Sequence, residues 1–410
     1  MKILLVMPQP PERAGAGGLA AYLYAALSGL VEEGHDVTVV TAAGPGDQER
    51  AAASELERQG YDIVWVPRHM GADRWRRRMR MAMQWGLRGQ PWRTVWFSEP
   101  GVQEALSVLF ANRSFDIVDV HDNSMAGYRF STTAPVVLTE VEVRRARSIQ
   151  WRPGGPSEWG SWALREVDWA RWPQYQRTTW ARFDAVRVFT ARDAAAAVAI
   201  APDISPRLHV TPFGITVPQR RGGMTTDDAT VVFLGDYTHE PNIDAAFWLA
   251  NEIFPHVVAQ VPEARLLLAG PHAPESIRGL ESPNVHVLGL VADADALLQE
   301  ATVVAAPVRI GGGMRVKVLH ALALGKALVT TSKGTDGLEK FGPLPLVVED
   351  DAEGLAAAIV RLLLDCEERE RLGLRALDFV ARDFTPQAFA RRSTAVYANV
   401  IERVSREEAL

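Results

Sequence analysis

The chain has 410 residues, which is enough for two or three domains at roughly 150 residues each. Its net charge of -6 provides no overall attraction to nucleic acid, and we expect no nucleic-acid partner. Cys366 is the only cysteine, which excludes an intrachain disulfide and a cysteine-based zinc site. The apolar start at Met1–Pro8 is too short for a signal peptide, and no run of 18 or more apolar residues predicts a membrane-spanning helix. We therefore expect a cytoplasmic protein, with peripheral attachment to the inner face of the membrane left open.

The first half of the chain predicts alternating strands and helices. Ile3–Met7 is a continuous apolar run, typical of a parallel strand that is covered on both faces. Leu19–Glu33 has apolar residues at helical spacing and ends at Gly34. The further strands are expected at Val37–Thr41, Asp62–Pro67, Ile117–Val120, Pro135–Thr139 and Ala185–Thr190. Alternating β and α units of this kind predict a doubly wound parallel sheet.

A second series of units follows the polar stretch Arg220–Asp228, which has the composition of an interdomain linker. Its strands are expected at Thr230–Leu234, Arg265–Ala269, Val285–Leu288, Thr302–Ala306, Ala327–Thr331 and Leu346–Val348, and its helices include Asn242–Ile253 and Arg315–Leu324. The sequence therefore predicts an α/β protein with two doubly wound, Rossmann-like domains. Because ligands of such sheets bind at the carboxyl ends of the strands, two facing sheets would leave a central cleft for them.

The turn Gly311-Gly312-Gly313 is the clearest candidate binding site, since it joins a predicted strand to a predicted helix. Glycines let the backbone approach a ligand closely, and the N–H groups at a helix start favour an anion. Arg315 lies in the first helical turn, while Lys317 and His320 share one helical face. These features predict a phosphate site. The alternative is a helix packed tightly on its strand, with Arg315 and Lys317 merely solvated.

A second glycine-rich turn, Gly15–Ala20, also fits the pattern GxGxx(G/A), although this match is weak on its own. Several loop residues separate the turn from the strand that ends at Met7. The second strand ends at Thr41 and is not followed by the acidic residue that binds ribose in nicotinamide-dependent enzymes. A nicotinamide dehydrogenase is therefore disfavoured.

Several segments resemble one known family by their order and spacing. In the second half they are Phe233-Leu234-Gly235, Glu240-Pro241-Asn242, Leu268–Pro271, Val287–Val291, Arg309–Lys317 and Gly334–Leu338. In the first half they are Gly17-Gly18, Gly34-His35, Asp119-Val120-His121 and Pro212-Phe213-Gly214. Together they resemble the family 4-type glycosyltransferases, retaining enzymes of the GT-B fold, in the variant with a glycine-rich turn.

The resemblance implies a division of labour along the chain. Residues 1–215 would bind the acceptor and residues 229–385 the nucleotide-sugar donor, with a linker at 216–228. Residues 386–410 would form a C-terminal helix that crosses back to the N-terminal domain. The acceptor itself stays open between a lipid-linked molecule, a glycan and a small molecule.

The resemblance also implies roles for individual residues. The implied catalytic residues are His121, Arg315 and Lys317, although a histidine that ends a strand can also be purely structural. The implied contacts to the donor and its phosphates are Gly17, Gly18, Gly235, Gly311, Gly312, Gly313 and His320. The implied contacts to the base are Leu288, Gly289, Leu290 and Val291. Front-face transfer with retention needs no protein nucleophile. We expect no metal and no cofactor besides the nucleotide-sugar substrate.

Three departures from the family pattern bear on these roles. The family's Glu-x7-Glu pair aligns with Gly312 and His320, so the carboxylate that binds ribose is missing from its usual place. The family's Arg-x4-Lys pair is absent from Gly235–Asn242. A second histidine expected after Pro135–Thr139 is replaced by Glu140-Val141-Glu142. A non-catalytic nucleotide-sugar-binding protein and a sugar-nucleotide epimerase of the same fold therefore remain alternatives.

The stretch Arg74–Trp85 is strongly cationic and carries large apolar side chains. As a helix it would place Met79 and Met83 on one side, with arginines over much of the remainder. Such a helix can lie on an anionic bilayer or receive a phosphorylated lipid. The alternative is a solvated helix whose tryptophan and methionine side chains pack inward.

Overall fold

The structure is a computed structural model that describes residues 1–13, 18–44, 47–68, 74–144, 159–217 and 228–408. It divides into two compact units. The N-terminal unit comprises Met1–Glu12, Ala26–Pro212 and Phe389–Leu410, and the C-terminal unit comprises Arg13–Ala25 and Phe213–Ala388. Most of the expected linker at 216–228 and all of Gly15–Gly17 lie outside the described residues.

The N-terminal unit is built on a seven-stranded parallel sheet in the order β3-β2-β1-β4-β5-β6-β7. The strands are β1 (Lys2–Met7), β2 (Asp36–Ala43), β3 (Asp62–Pro67), β4 (Ile117–His121), β5 (Val136–Thr139), β6 (Ala185–Val188) and β7 (Leu208–Val210). The helices of this part of the chain are α1 (Gly18–Glu32), α2 (Asp47–Arg58), α3 (Arg74–Gly86), α4 (Trp92–Phe97), α5 (Pro100–Asn112), α6 (Trp159–Trp180) and α7 (Ala191–Ile200). The central strands β1 and β4 are buried on both faces from Ile3 and Ile117 onward, as their unbroken apolar runs predict.

The C-terminal unit repeats this plan with a six-stranded parallel sheet in the order β10-β9-β8-β11-β12-β13. Its strands are β8 (Thr230–Leu234), β9 (Arg265–Ala269), β10 (Val285–Gly289), β11 (Val303–Ala306), β12 (Leu328–Thr330) and β13 (Val347–Val348). The helices that follow are α8 (Glu240–Trp248), α9 (Phe254–Val258), α10 (Glu275–Arg278), α11 (Ala294–Glu300), α12 (Val316–Ala323), α13 (Ala352–Leu364), α14 (Cys366–Asp383) and α15 (Pro386–Glu408). The predicted fold class, two doubly wound Rossmann-like domains, is confirmed.

The strand orders determine where ligands can bind. In each sheet the order reverses beside the first strand, between β1 and β4 in the N-terminal unit and between β8 and β11 in the C-terminal unit. Doubly wound sheets bind ligands at this reversal, just beyond the carboxyl ends of the strands. His121 ends β4, and the Gly311–Gly313 turn follows β11, so both predicted sites stand at a reversal point.

Two predicted elements have a different boundary at a helix start: one strand ends early before α7, and one helix, α12, begins a residue later than expected. Thr190, predicted at the end of a strand, instead precedes α7 and accepts a hydrogen bond from the Asp193 backbone N–H. Arg315, predicted inside a helix, is extended at φ -97° and ψ 101° and precedes α12. The short strand β7 was not predicted.

The last helix, α15, packs in the N-terminal unit from Phe389 onward. The Tyr397 hydroxyl donates to Asp119 of β4, and Thr394 Oγ1 lies 3.1 Å from His35 Nε2. These polar contacts anchor the end of the chain to the first sheet. Among the described helices, none has the length and apolar character needed to span a membrane.

Candidate functional site

The turn after β11 has a backbone that requires glycine. Gly311 and Gly313 have φ angles of 91° and 72°, in the left-handed region that other residues rarely adopt. A Cβ atom at Gly311 would lie 3.0 Å from Pro241 Cγ and 3.3 Å from Arg315 Nη1. The glycines therefore allow the turn to pack against the start of α8 while its backbone N–H groups stay close to the helix start of α12.

Arg315 stabilises this turn by hydrogen bonds to its backbone carbonyl groups. Its Nη1 donates to the Gly312 carbonyl oxygen at 2.9 Å, and its Nη2 donates to the Ile310 carbonyl oxygen at 3.1 Å. Arg309, in the same loop, forms a two-pronged pair with Asp244 of α8, with Nη2 2.7 Å from Oδ1. The guanidinium of Arg315 thus stands at the turn, whereas the charge of Arg309 is neutralised by a carboxylate.

Lys317, in the first turn of α12, is partly buried beside the end of β8. Its Nζ donates to Asn242 Oδ1 at 2.6 Å and lies 4.2 Å from the centroid of the Phe233 ring. Burial lowers the pKa of Lys317 to about 7, and the charge of Arg315 adds to this effect. A Cβ atom at Gly235 would lie 3.1 Å from this Nζ, so the absence of a side chain at Gly235 leaves room for it.

Asn242 is a site residue that the sequence did not reveal. It lies in the first turns of α8, 75 positions before Lys317, and its Nδ2 also donates to the Asp236 carbonyl oxygen at 2.7 Å. The side-chain amide of Asn242 therefore hydrogen bonds both to the loop that follows β8 and to α12, the helix that follows β11. The only hint in the sequence was the family-like segment Glu240-Pro241-Asn242.

Gly18 lies next to the same helix start. Gly18 and Val316 both belong to the C-terminal unit, and a Cβ atom at Gly18 would lie 3.1 Å from Val316 Cβ. Gly17 lies outside the described residues. The second glycine-rich turn thus ends within van der Waals distance of the helix that carries Lys317.

The predicted base-binding residues, Leu288 to Val291, form the end of β10 and the loop after it. Gly289 has φ 65°, and the strand register shifts between Val287 and Gly289. Leu290 is 74% exposed, although it is apolar. The loop therefore offers apolar surface at the carboxyl edge of the sheet, where a planar base could pack.

His320 is half-buried and faces a neighbouring helix. Its Nε2 lies 2.6 Å from Asp295 Oδ1, and Asp295 lies in the first turn of α11. A carboxylate is therefore present at His320 in space, although none is present at that position in sequence.

His121 lies in the N-terminal unit and is buried at the end of β4. Its Nε2 is 3.2 Å from Asp119 Oδ2, which also accepts from Arg187 Nη2 at 2.5 Å and from Tyr397. Burial alone would raise the pKa of Asp119, but Arg187 and His121 hold the pKa of this carboxyl well below its ordinary value. The charged Asp119 fixes which way the His121 ring points.

A second polar cluster stands beside His121, where the family pattern expects another histidine. Glu140 is buried after β5, and its Oε1 accepts from Trp180 Nε1 at 3.0 Å and from Asn123 Nδ2 at 3.3 Å. Burial raises the pKa of Glu140 to about 8, and the charge of Asp122 adds to this. Asp122 itself has φ 73° and pairs with Arg93 at 3.1 Å. Such strained residues are concentrated at functional sites.

The apolar face of α3 points outward. Trp75, Met79 and Met83 recur every four residues and are 67%, 54% and 46% exposed, and Leu87, four residues further, is 84% exposed. The opposite side packs on α6, where Trp85 Nε1 donates to Asp168 Oδ1 at 2.9 Å. Met81 is buried and Trp85 contacts α6, so these two side chains pack inward as the alternative predicts, whereas Trp75, Met79 and Met83 do not.

Among the residues that the structure describes, no three His, Cys, Asp or Glu side chains come together as a metal site would require. The polar groups at the turn after β11 are cationic or neutral: Arg315, Lys317 and the amide of Asn242. This arrangement suits an anionic group directly.

Comparison with known proteins adds independent support for the fold and the family. Residues 228–365 match the family described as glycosyl transferases group 1. A phosphatidyl-myo-inositol mannosyltransferase from Mycolicibacterium smegmatis is 31% identical over 172 residues, which cover 39% of this chain. The matched segment spans 42% of that relative's length.

Solved structures match over nearly the whole chain. TarM from S. aureus superposes with a TM-score of 0.68 at 9% identity and covers 97% of this chain and 98% of its own. Sucrose-phosphate synthase from Thermosynechococcus elongatus gives 0.66 at 16% identity, with 98% and 99% covered. Anabaena HepE in complex with UDP and glucose gives 0.63 at 13% identity, with 97% and 100% covered. The chain therefore has the GT-B fold, and residues 228–365 match the glycosyl transferases group 1 family.

Proposed function

We propose that this protein transfers a glycosyl group from a nucleotide-diphosphate sugar to an acceptor, with retention of configuration at the anomeric carbon. The observation that carries the proposal is the turn Gly311–Gly313 at the reversal point of the second sheet, with Arg315 and Lys317 beside it. A diphosphate placed at this turn meets backbone N–H groups, the positive end of α12 and two cationic side chains. The positive charges of Arg315 and Lys317 complement the negative charge of the diphosphate, which is the group that leaves during transfer.

The chemistry follows from where charge develops. Breaking the bond between the anomeric carbon and the phosphate leaves a positive, oxocarbenium-like centre and increases the negative charge on the diphosphate. Preorganised donors stabilise that charge without having to reorganise, and removing one such donor from an enzyme costs roughly 3 kcal/mol. Lys317 is held by Asn242 and Arg315 by the turn carbonyls, so both are in place before the donor arrives.

Lys317 takes a specific role in this scheme. Its ammonium is weakly solvated in the free protein, as the lowered pKa of about 7 indicates. A diphosphate supplies the negative charge that Asn242 cannot supply, so binding draws a proton onto Lys317. Arg315 keeps its charge at every working pH and fixes the shape of the turn.

The remaining predicted residues complete the proposal. Leu288 to Val291 contact the base, and Gly18, Gly235 and His320 line the donor site. In the N-terminal unit, His121 lies beside Asp119 and contacts the acceptor hydroxyl. The acceptor binds to the N-terminal unit, and transfer needs no metal.

Nucleotide binding and turnover test the proposal separately. Calorimetry with UDP, GDP, ADP and TDP should give measurable affinity for at least one of them, and failure with all four would remove the donor site. Turnover with the corresponding sugar nucleotides should fall by about 100-fold or more in Lys317→Ala. Lys340→Ala, an exposed lysine of the same unit, serves as the matched control. Proton NMR of the product would show the anomeric configuration, and inversion would contradict retention.

We also propose that the outward face of α3 docks on an anionic membrane, as part of the same function. The helix has five arginines and no acidic residue, and its exposed stripe comprises Trp75, Met79, Met83 and, just beyond its end, Leu87. Apolar side chains that enter the membrane interface are stabilised by burial, and the neighbouring arginines are attracted to anionic lipid headgroups. The two effects add to the binding free energy.

Vesicle flotation tests the docking surface. The wild type should float with vesicles of phosphatidylglycerol and phosphatidylcholine and not with pure phosphatidylcholine. The double variant Met79→Glu with Met83→Glu should lose flotation, whereas Leu374→Glu, an apolar residue exposed to a similar degree in the other unit, should retain it. Absence of wild-type flotation would refute the membrane contact and leave the donor proposal intact.

A further inference from the structure

The contact between α11 and α12 is a short carboxylate–histidine bridge. Asp295 Oδ1 accepts from His320 Nε2 at 2.6 Å, and the two side chains are 27% and 17% exposed. The bridge is therefore reachable from solvent but partly screened from it. Hydrogen bonds with charged partners in such places are stronger than exposed ones.

The position of the bridge follows from the topology. Helix α11 follows the loop after β10, which holds the predicted base contacts, and it packs against β8. Helix α12 follows the glycine turn after β11. Because all these strands are parallel, both loops lie at the carboxyl edge of the sheet. The bridge thus joins the helix that begins near the base loop to the helix that begins near the phosphate turn.

A nucleotide diphosphate has the same order of parts, with the ribose between the base and the phosphates. The two ribose hydroxyls are hydrogen-bond donors, and an ionised carboxylate such as that of Asp295 is a strong acceptor for them. We propose that Asp295 accepts hydrogen bonds from the ribose hydroxyls and that His320 positions the Asp295 carboxylate for this. The inference rests on the proposed function.

Asp293, two residues earlier, holds the start of α11, because its Oδ1 accepts from the Ala296 backbone N–H at 2.9 Å. Asp295 lies in the first turn of α11, and its Oδ1 faces His320. The two carboxylates of this helix start therefore have separate tasks.

The test compares a nucleotide with its counterpart that lacks both ribose hydroxyls. UDP, GDP and ADP are each titrated calorimetrically alongside their 2′,3′-dideoxy forms. The wild type should prefer the ribose form of the nucleotide that it binds by about tenfold or more, the effect of a hydrogen bond to a charged group. In Asp295→Ala this preference should disappear, with the affinity for the dideoxy form unchanged.

Variants at His320 test the positioning role. His320→Gln keeps a donor for the carboxylate and should retain the preference, whereas His320→Leu removes the donor and should reduce it. The matched control is Glu281→Ala, which removes the contact of Glu281 Oε1 with His286 Nδ1 of β10 at 3.3 Å, together with the bond from the Val287 backbone N–H to Oε2. This control should leave both affinities as they are in the wild type.

The outcomes separate this inference from the proposed function. A wild type that binds ribose and dideoxy forms equally, or an Asp295→Ala variant that keeps the preference, overturns the inference and leaves the donor site standing. Loss of affinity for both forms in Asp295→Ala assigns a structural role to Asp295 and also overturns it. A wild type that binds neither form overturns the inference and the donor site together.

Discussion

Changing the pH alone should change the affinity of this protein for a nucleotide diphosphate, because Lys317 titrates near neutrality. Its Nζ hydrogen bonds to a neutral amide and lies over the Phe233 ring, and burial lowers its pKa to about 7. Arg315, the nearest charged group in the turn, is positive and opposes a second charge. A bound diphosphate reverses this situation, so the pKa of Lys317 must be higher in the complex than in the free protein.

The sign and size of the effect follow from this difference. Below pH 7 Lys317 is protonated in both states, so the full affinity is present. Above pH 7 the free protein must take up a proton to bind, and the association constant falls about tenfold for each further pH unit. Between pH 7.5 and 9 the expected loss is about 25-fold. The terminal phosphate, with a second pKa of about 6, is already ionised throughout this range.

Calorimetry provides both the affinity and the proton uptake. Titrations of UDP at pH 7.5 and 9, in buffers with different ionisation enthalpies, should show the loss of affinity together with uptake of about one proton per nucleotide at the higher pH. At pH 7.5 Lys317→Gln should bind the nucleotide more weakly than the wild type. The affinity of this variant should be the same at pH 9 as at pH 7.5. Equal wild-type affinities at the two pH values would refute the reasoning, as would an unchanged slope in the glutamine variant.

Three further predictions concern the turn, the buried carboxyl and the metal. Gly311→Ala should weaken nucleotide binding by tenfold or more, because its Cβ would contact Pro241 at 3.0 Å, whereas Gly342→Ala, with φ 101° and open space around it, should leave calorimetric affinity intact. Glu140 has a folded pKa of about 8 against an ordinary 4.5, so its contribution to stability is complete below pH 4.5 and lost as the pH rises to 8. Glu140→Gln should therefore raise the melting temperature at pH 9 and not at pH 4.5, and a gain of equal size at both would contradict the titration. Added EDTA should leave turnover unchanged, and a loss restored by Mg²⁺ would show a metal requirement.

Most of the fold could be predicted because its signal is local. Runs such as Ile3–Met7 and Val231–Leu234 are apolar throughout, and this alone identifies strands buried on both faces. The errors lie at the ends of elements, where a single side chain can determine whether a residue belongs to a strand or caps a helix. Thr190 is β-branched and follows Val188 and Phe189, which favours a strand, but its hydroxyl caps α7 instead. The edge strand β7 has three residues and too little pattern to detect.

Part of the candidate site could likewise be predicted from local sequence, and part of it could not. The Gly311–Gly313 turn could be predicted, since the glycines, the strand and the helix are contiguous in sequence. Asn242 and Asp295 could not, because their partners Lys317 and His320 lie 75 and 25 positions away and the contacts depend on how helices pack around the sheet. Neither residue type nor spacing carries a signal for a pair of this kind.

The departures from the family pattern have a common physical explanation in this arrangement. The carboxyl edge of a parallel sheet collects side chains from several helix starts, so a given chemical group can reach one place from more than one element. His320 occupies an aligned position where a carboxylate is expected, yet Asp295 brings a carboxylate to it from α11. The Arg-x4-Lys pair expected in Gly235–Asn242 is absent, and Lys317 brings a cation to Asn242 from α12 instead. A missing residue at one aligned position is therefore weak evidence for a lost activity when a neighbouring helix supplies the same group.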